Sequence, residues 1–364
     1  MNMPSNQVNV RADTVREVKP RLFLVWMAIF LFVFVLVFIL DLSYGSLKIP
    51  ASYILRILSG VQTDKPIWHE IVLNIRLTKA ITAVLVGSGL AIAGLLMQTF
   101  FRNPLADPFI LGINSGASLG VALAILSLGA AGSLFLTQIN TLGDLGVAAA
   151  AILGAGLVFA LVLLVSRSVK SSNTLLILGL MFGSATSALV SLLIYFSIPE
   201  RIQAYMIWTY GSFGGVTWNQ LKVMAPVMLV GIAISSLLGK SLNALLLGED
   251  YARSLGLNIG RIRFLILLGA SILAGTATAF CGPIGFLGVA IPHIARNLLR
   301  TSNHKFLLPA VLILGAIAAL LADVLTQLPG TAFILPINVI TSLFGAPFVL
   351  WIILRRKAVS GVSV

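Results

Sequence analysis

The chain has 364 residues, of which 59% are hydrophobic and only 10% are charged, and its mean hydropathy is +1.05. A soluble domain carries roughly 25% charged residues, so the composition excludes soluble enzymes and disordered tails. The single cysteine, Cys281, excludes a disulfide scaffold, and three histidines spread along the chain (His69, His293 and His304) do not suggest a metal site. The remaining class is an integral membrane protein.

Ten apolar stretches, uncharged except for Asp323, predict membrane spans, since one helix needs about 20 apolar residues to cross a bilayer. The first, 22–40, is longer than a signal-peptide core, so we expect it to stay in the protein as a helix. The others lie near 80–101, 109–128, 145–166, 175–197, 223–239, 264–281, 285–295, 306–328 and 335–354. Gly and Pro interrupt several of them, which requires neighbouring helices or a cavity to satisfy the freed backbone groups. We predict an all-α polytopic membrane protein of about ten helices, some of them short and broken.

The basic residues predict the sidedness of this bundle. With ten spans, 17 of the 24 Lys and Arg fall on the side of the N-terminus and seven on the other. Cytoplasmic loops carry the excess of Lys and Arg, so both termini are expected in the cytoplasm. This asymmetry accounts for most of the net charge of +13 and leaves no support for nucleic-acid binding. We expect tails at 1–21 and 358–364 around one transmembrane domain, 22–357.

The most informative segment is the turn around Asn103, between the second and third predicted spans. It reads Gln-Thr-Phe-Phe-Arg-Asn-Pro-Leu-Ala-Asp-Pro-Phe-Ile-Leu-Gly-Ile-Asn-Ser-Gly-Ala over 98–117. Pro104 and Pro108 predict a sharp turn, and small residues from Gly112 onward would let helices approach closely. A tight cytoplasmic turn is the simplest interpretation.

The segment also resembles the signature of the iron-siderophore, haem and cobalamin import permeases, which are type II importers among the ATP-driven transporters. Four further stretches continue the resemblance along nearly the whole chain: 211–218, Gly-Glu-Asp-Tyr-Ala-Arg-Ser-Leu-Gly at 248–256, 282–293 and Gly-Ala-Pro-Phe at 345–348. The resemblance implies a homodimeric ten-helix permease of the bacterial inner membrane. Its implied partners are membrane lipid, two cytoplasmic ATPases and an external substrate-binding protein.

The internal loop 240–263 is predicted to contain a short amphipathic helix that ends at Gly256, with Leu255 and Leu257 as apolar anchors. A surface connector helix would show the same pattern. The resemblance implies that this loop couples the permease to the ATPases. The coupling residues that it implies are Glu249, Asp250, Ala252, Arg253, Ser254, Leu255 and Gly256.

The resemblance also implies a cytoplasmic gate, formed by the Asn-Pro-Leu-Ala turn and the loop that opens the fifth span. The matching residues are Asn103, Leu105, Ser171, Ser172, Asn173 and Thr174. All are uncharged, so two copies could meet across a dimer axis without repulsion. The second group could equally serve as helix caps.

On the outer side, Arg76 and Lys79 match positions where relatives present cations to acidic residues of the binding protein, although interfacial snorkelling is an equal alternative. Gln327 and Ile334 depart from the family pattern, where a third basic contact and an acid are expected. A docking scheme based on three cations is therefore not expected here.

Two polar residues inside predicted spans are costly in a membrane. Asp323, which has no second carboxylate inside a span, is expected to bind backbone or hydroxyl groups rather than to relay protons. His293 is expected to be structural rather than a haem or metal ligand.

The chain has no Walker loop and cannot itself cradle ATP phosphates. We therefore expect a transport subunit that is not an enzyme and binds no cofactor, with ATP and Mg²⁺ held by the partner ATPases. The alternative is a secondary transporter driven by an ion gradient, which should show paired acids within the membrane or inverted repeats. The sequence does not distinguish among an iron chelate, haem and cobalamin as the substrate.

Overall fold

The computed structural model describes residues 20–45, 47–61, 65–126, 145–166, 172–327 and 334–360. We number the helices in chain order. They are α1 (Pro20–Ser43), α2 (Ala51–Leu58), α3 (Pro66–Phe100), α4 (Ile113–Leu126), α5 (Gly146–Ser166), α6 (Ser172–Tyr195), α7 (Pro199–Thr209), α8 (Trp218–Leu237), α9 (Gly239–Leu247), α10 (Glu249–Ser254), α11 (Ile259–Cys281), α12 (Leu287–Leu299), α13 (His304–Thr326) and α14 (Ile337–Ser360).

The all-α membrane fold is confirmed, because each of the ten predicted spans coincides with a helix. Seven helices in the described ranges are long and apolar enough to cross a membrane: α1, α3, α5, α6, α8, α11 and α13. Shorter apolar helices are Ile113–Leu126 and Ile337–Trp351, and α12 has 13 residues. The span count and the sidedness of the termini stay predictions.

Helix α3 forms the centre of the bundle and packs against α8, α11, α12 and α13. Most of its side chains from Ala80 to Phe100 are buried. Glycines make this packing possible: a Cβ on Gly94 would lie 1.8 Å from the carbonyl oxygen of Gly288 in α12. Helices in a membrane associate through such close contacts, because lipid is as apolar as their own side chains.

The start of α3 differs from the predicted second span. The helix begins at Pro66 rather than near residue 80, and it contains a π-helical turn, Ile71–Arg76. Arg76 and Lys79 therefore lie within a helix of 35 residues and not at the edge of a loop. Their charges suggested an exterior segment, whereas both side chains have partners inside the bundle.

Candidate translocation path and coupling loop

The turn that follows α3 is held by its own side chains. Arg102 takes a left-handed conformation with φ 47°. The next residue, Asn103, accepts a hydrogen bond from the backbone N–H of Leu105 through Oδ1 at 3.0 Å, and its carbonyl accepts one from Ala106 at 3.0 Å. The predicted sharp turn is confirmed, and its asparagine stabilises the backbone locally.

A second polar residue begins the next element. Asp107 caps the 3₁₀ turn Pro108–Leu111, since its Oδ1 accepts from the N–H of Phe109 at 2.8 Å. Burial raises the pKa of the Asp107 carboxyl to about 6, against the lowering effect of that hydrogen bond. Gly112 then takes φ +75°, and a Cβ there would lie 3.1 Å from the carbonyl oxygen of Gly179 in α6.

An open groove of about 470 Å³ runs beside this turn, between α4 and α6. Its lining is small or uncharged: Phe109, Ile110, Gly112, Ser115, Gly179, Leu180, Gly183, Ser184 and Ser187. A surface with few large side chains and no charges offers weak contacts to a bulky passenger. The groove therefore offers no charged group that could fix a ligand in one position.

The predicted gate residues that the structure describes lie in two elements and differ in exposure. Asn103 and Leu105 are half-buried in the turn. Ser172, Asn173 and Thr174 form the first turn of α6, where Thr174 is exposed, while Ser171 lies outside the described residues. Both the gate assignment and the alternative that the second group caps the helix stay predictions.

Helices α9 and α10 form the loop that was predicted to couple to the ATPases. The predicted end of α10 at Gly256 is confirmed, because Gly256 takes φ +79°. Its N–H bonds the carbonyl of Arg253 at 3.0 Å, and the N–H of Leu257 bonds that of Ala252 at 3.2 Å. This is the Schellman arrangement that glycine permits at a helix end.

The loop presents one face inward and another outward. Ala252 is fully buried, whereas Tyr251 is 49% and Leu255 58% exposed. The two predicted apolar anchors differ in exposure, because most of the Leu255 side chain lies at the surface and Leu257 is half-buried; the partner that they anchor stays a prediction. Two ion pairs, between Glu249 and Arg263 at 3.4 Å and between Asp250 and Arg253 at 3.3 Å, hold the charged residues around this apolar patch.

Comparison with known proteins gives this geometry a context. The profile of the FecCD transport family matches residues 33–355, which is most of the chain. The chain belongs to the FecCD transport family. This chain is 35% identical over 326 residues to the hemin transport system permease protein HmuU of Yersinia pestis, an alignment that covers 89% of this chain and 95% of HmuU.

Two further similarities extend this result. The vitamin B12 import system permease protein BtuC of Klebsiella pneumoniae subsp. pneumoniae is 39% identical over 284 residues, covering 78% of this chain and 82% of BtuC. A solved structure described as a metal-chelate type ABC transporter in an inward-facing conformation matches with a TM-score of 0.76 and 31% identity, over 91% of this chain and 98% of that one. The chain is thus a multi-pass permease of the ABC importer class, as the resemblance implied.

The two predicted docking cations, Arg76 and Lys79, have partners inside the bundle. The guanidinium of Arg76, a residue only 5% exposed, donates to the carbonyl of Leu42 at 2.6 Å and to that of Leu47. Lys79 forms an ion pair with Asp323 and lies 3.9 Å from Asp41 Oδ1. Contact with a binding protein stays a prediction, and in this structure both cations hold helices together.

Asp323 is not isolated, which corrects the expectation from the sequence. Its carboxylate binds Lys79 and accepts from Gln327 Nε2 at 3.4 Å, and fully buried Asp41 is the second carboxylate of the cluster. Sequence analysis missed Asp41 because the residue directly follows the predicted first span, 22–40. Gln327 and Ile334, the two departures from the family pattern, pair with each other in an antiparallel bridge.

Neither His293 nor Cys281 belongs to a cluster of metal-ligating side chains in the part of the chain that the structure describes. The His293 ring lies edge-on to Phe348 with 6.3 Å between centroids, and Cys281 is a buried free thiol. Within that part of the chain, no group of three His, Cys, Asp or Glu side chains could hold a metal ion.

Proposed function

We propose that this chain is the membrane-spanning permease of an ATP-driven importer for an iron chelate, haem or cobalamin in the bacterial inner membrane. Two copies enclose the translocation path, two ATPase subunits bind the cytoplasmic loops, and an external binding protein delivers the substrate. The chain itself holds no cofactor, and ATP with Mg²⁺ resides on the ATPases. HmuU and BtuC carry hemin and vitamin B12 in their names, which supports this substrate class.

The observation that carries the proposal is the uncharged groove between α4 and α6, which adjoins the Asn103 turn. Beyond the groove, α6 exposes Met181, Leu189 and Leu192, each more than half exposed. A second copy facing this side would cover those side chains and close the groove into a path. The turn then lies where the path meets the cytoplasm.

The coupling loop supplies the site for the ATPases. Tyr251 and Leu255 are exposed apolar groups beside the ion-paired charges of α10. Such a mixture of an apolar centre and a charged rim is typical of protein interfaces. The same helix is fixed to the bundle through buried Ala252 and through Glu249, so force applied to it reaches the membrane helices.

A secondary transporter is the second candidate, and the pairing of Asp41 with Asp323 is the observation in its favour. Two carboxylates inside a membrane protein often mark a proton or sodium pathway. Here one cation, Lys79, lies against both carboxylates, and Arg76 interacts electrostatically with Asp41. A cluster that contains its own cations supports a structural role and leaves the ATP-driven importer as the better account.

The experiment uses an α10 variant with Arg253→Glu and Leu255→Asp. This variant should insert and fold normally, but it should no longer co-purify with the ATPase and should lose uptake. The reason is that Arg253→Glu reverses a charge on the docking face and Leu255→Asp replaces its exposed apolar side chain by a carboxylate. The matched control is Arg56→Glu with Leu58→Asp on α2, another short helix where both side chains are exposed. The control should keep the ATPase. Normal uptake by the α10 variant would contradict the proposal.

A further inference from the structure

A chain of hydrogen bonds crosses the cytoplasmic end of the bundle, and its donors can be assigned. Asn303 Oδ1 accepts from the N–H of Lys305 at 3.0 Å, so this atom is an acceptor. Asn243 Nδ2 must then be the group that donates to it, at 2.9 Å. Asn243 Oδ1 therefore accepts, from the backbone N–H of His304 and from His304 Nδ1, both at 2.8 Å.

This assignment fixes the proton on His304 Nδ1. A neutral imidazole has one donor and one acceptor nitrogen, so Nε2 is the acceptor. The atom opposite Nε2 is Thr99 Oγ1 at 2.9 Å, and the carbonyl of Leu95 is also 2.9 Å from Oγ1. The single hydroxyl proton of Thr99 is therefore shared between these two acceptors, Nε2 and the carbonyl. His304 and Thr99 are 1% and 2% exposed, so water does not replace these contacts.

The three linked residues belong to three elements with different roles. Asn243 lies in α9, the first helix of the coupling loop, and His304 is the first residue of α13. Thr99 lies in the last turn of α3, directly before the turn that contains Asn103 and Leu105. The imidazole thus bridges the coupling loop and the segment that leads into the predicted gate.

The neighbouring residue Gln98 makes this end of α3 rigid. Its Oε1 accepts from Arg296 Nη1 in α12 at 2.6 Å, and its Nε2 donates to the carbonyls of Gly288 and Val289 at 3.2 and 3.1 Å. Hydrogen bonds of Gln98 and Thr99 hold the last turn of α3 on both sides, so this turn moves as a rigid unit with the helix that displaces it. A displacement of α9 reaches it through His304.

We propose that His304 is a positioning residue that transmits movement of the coupling loop to the cytoplasmic gate, with Asn243 and Thr99 as its two contacts. The inference rests on the proposed function, since it assumes that ATPases act on α9 and α10. Loss of either contact leaves ATP hydrolysis running while the gate no longer follows. The expected defect is therefore in uptake per ATP hydrolysed, and not in ATP hydrolysis.

Thr99→Val tests the inner contact, since valine keeps the shape and removes the hydroxyl. Thr82→Val is the matched control in the same helix: Thr82 is fully buried, and its hydroxyl bonds only the Thr78 carbonyl in the described structure, at 2.7 Å. Reconstituted with the ATPase and binding protein, Thr99→Val should lose about tenfold in uptake per ATP, the scale of one buried hydrogen bond. Thr82→Val should match the wild type, and Thr99→Ser should restore coupling.

Two substitutions of His304 test its two contacts one at a time. They also keep the inference testable if Thr99→Val does not fold. Asparagine places a donor near the position of Nδ1 and keeps the Asn243 contact, whereas glutamine places its amide near Nε2 and keeps the Thr99 contact. Both should uncouple transport while ATP hydrolysis stays near the wild-type rate. Parallel losses of hydrolysis, uptake and thermal stability in the Thr99 and His304 variants, or unchanged coupling in them, would overturn the inference. The proposed function would fail separately, by absence of ATP-dependent uptake in the wild type.

Discussion

Lys79 and Asp323 form a buried ion pair that joins α3 to α13, with side chains that are only 13% and 7% exposed. Asp41 Oδ1 of α1 lies 3.9 Å from Nζ of the same lysine. One cation thus connects three membrane helices. Removing one partner of a buried pair leaves an uncompensated charge, which costs more than the pair itself contributes.

We therefore expect Lys79→Met to destabilise the protein by about 3–5 kcal/mol. The double variant Lys79→Met with Asp323→Asn should recover much of that loss, because it leaves Asp41 with Arg76. Thermal unfolding midpoints of the purified variants in detergent give the comparison. If Lys79→Met keeps its midpoint and loses only affinity for the binding protein, Lys79 is a docking residue and the structural role is wrong.

Leu105→Asp tests the gate at the cytoplasmic turn. Two copies of this turn across a dimer axis would bring two carboxylates close together with little water between them, where repulsion is far stronger than in bulk solvent. ATP hydrolysis should continue without net accumulation of substrate. Leu105→Asn is the control, because asparagine has the shape of aspartate without its charge. Its net accumulation of substrate should be less reduced than that of Leu105→Asp.

Leu105→Cys in both copies allows the distance between the two Leu105 positions of the gate to be tested by crosslinking. Their crosslinking should be efficient and should change with the bound nucleotide. If the two positions stay far apart in every nucleotide state, the turn is only a connector and the gate lies elsewhere.

Sidedness can be measured by labelling with an impermeant thiol reagent. In a Cys281→Ser background, Lys65→Cys should react from the periplasm, whereas Arg253→Cys and Lys305→Cys should react only after the membrane is opened. All three positions are exposed in the structure, so accessibility depends on the side of the membrane. Periplasmic labelling at Arg253 would contradict the ten-span topology.

The packing of α3 predicts a large difference between two glycines. Gly94→Val should destabilise the protein by at least about 3 kcal/mol, the upper end of overpacking costs, because its Cβ would overlap the backbone of Gly288. Gly156→Val makes the same change in α5 at a position where a Cβ meets nothing within 4 Å. Equal yields and equal thermal midpoints for the two variants would show that this contact is looser than described.

The sequence predicted the helices well because apolar length and turn residues are local signals. The stretch 22–40 became α1, and Gly256 ended α10 where its lack of a side chain permits a left-handed conformation. Family resemblance added the roles of the turn and the loop, which no local pattern contains.

Buried charges were misplaced because a charge in a hydrophobic sequence usually marks the end of a span. Arg76 and Lys79 lie inside a helix, since each finds partners contributed by segments distant in the sequence, Leu42 for one and Asp323 for the other. His304 was missed for a similar reason. Its partners Asn243 and Thr99 come from two other helices, and only the packed bundle brings them together.

The most direct test of the importer assignment is uptake into proteoliposomes that contain this permease, its partner ATPase and its binding protein. Haem, cobalamin and a ferric siderophore are each supplied outside, with or without ATP at the ATPase side and with or without a protonophore. The account predicts accumulation of one of these substrates that requires ATP and persists when the proton gradient is collapsed. Accumulation that needs an ion gradient and proceeds without ATP would contradict it.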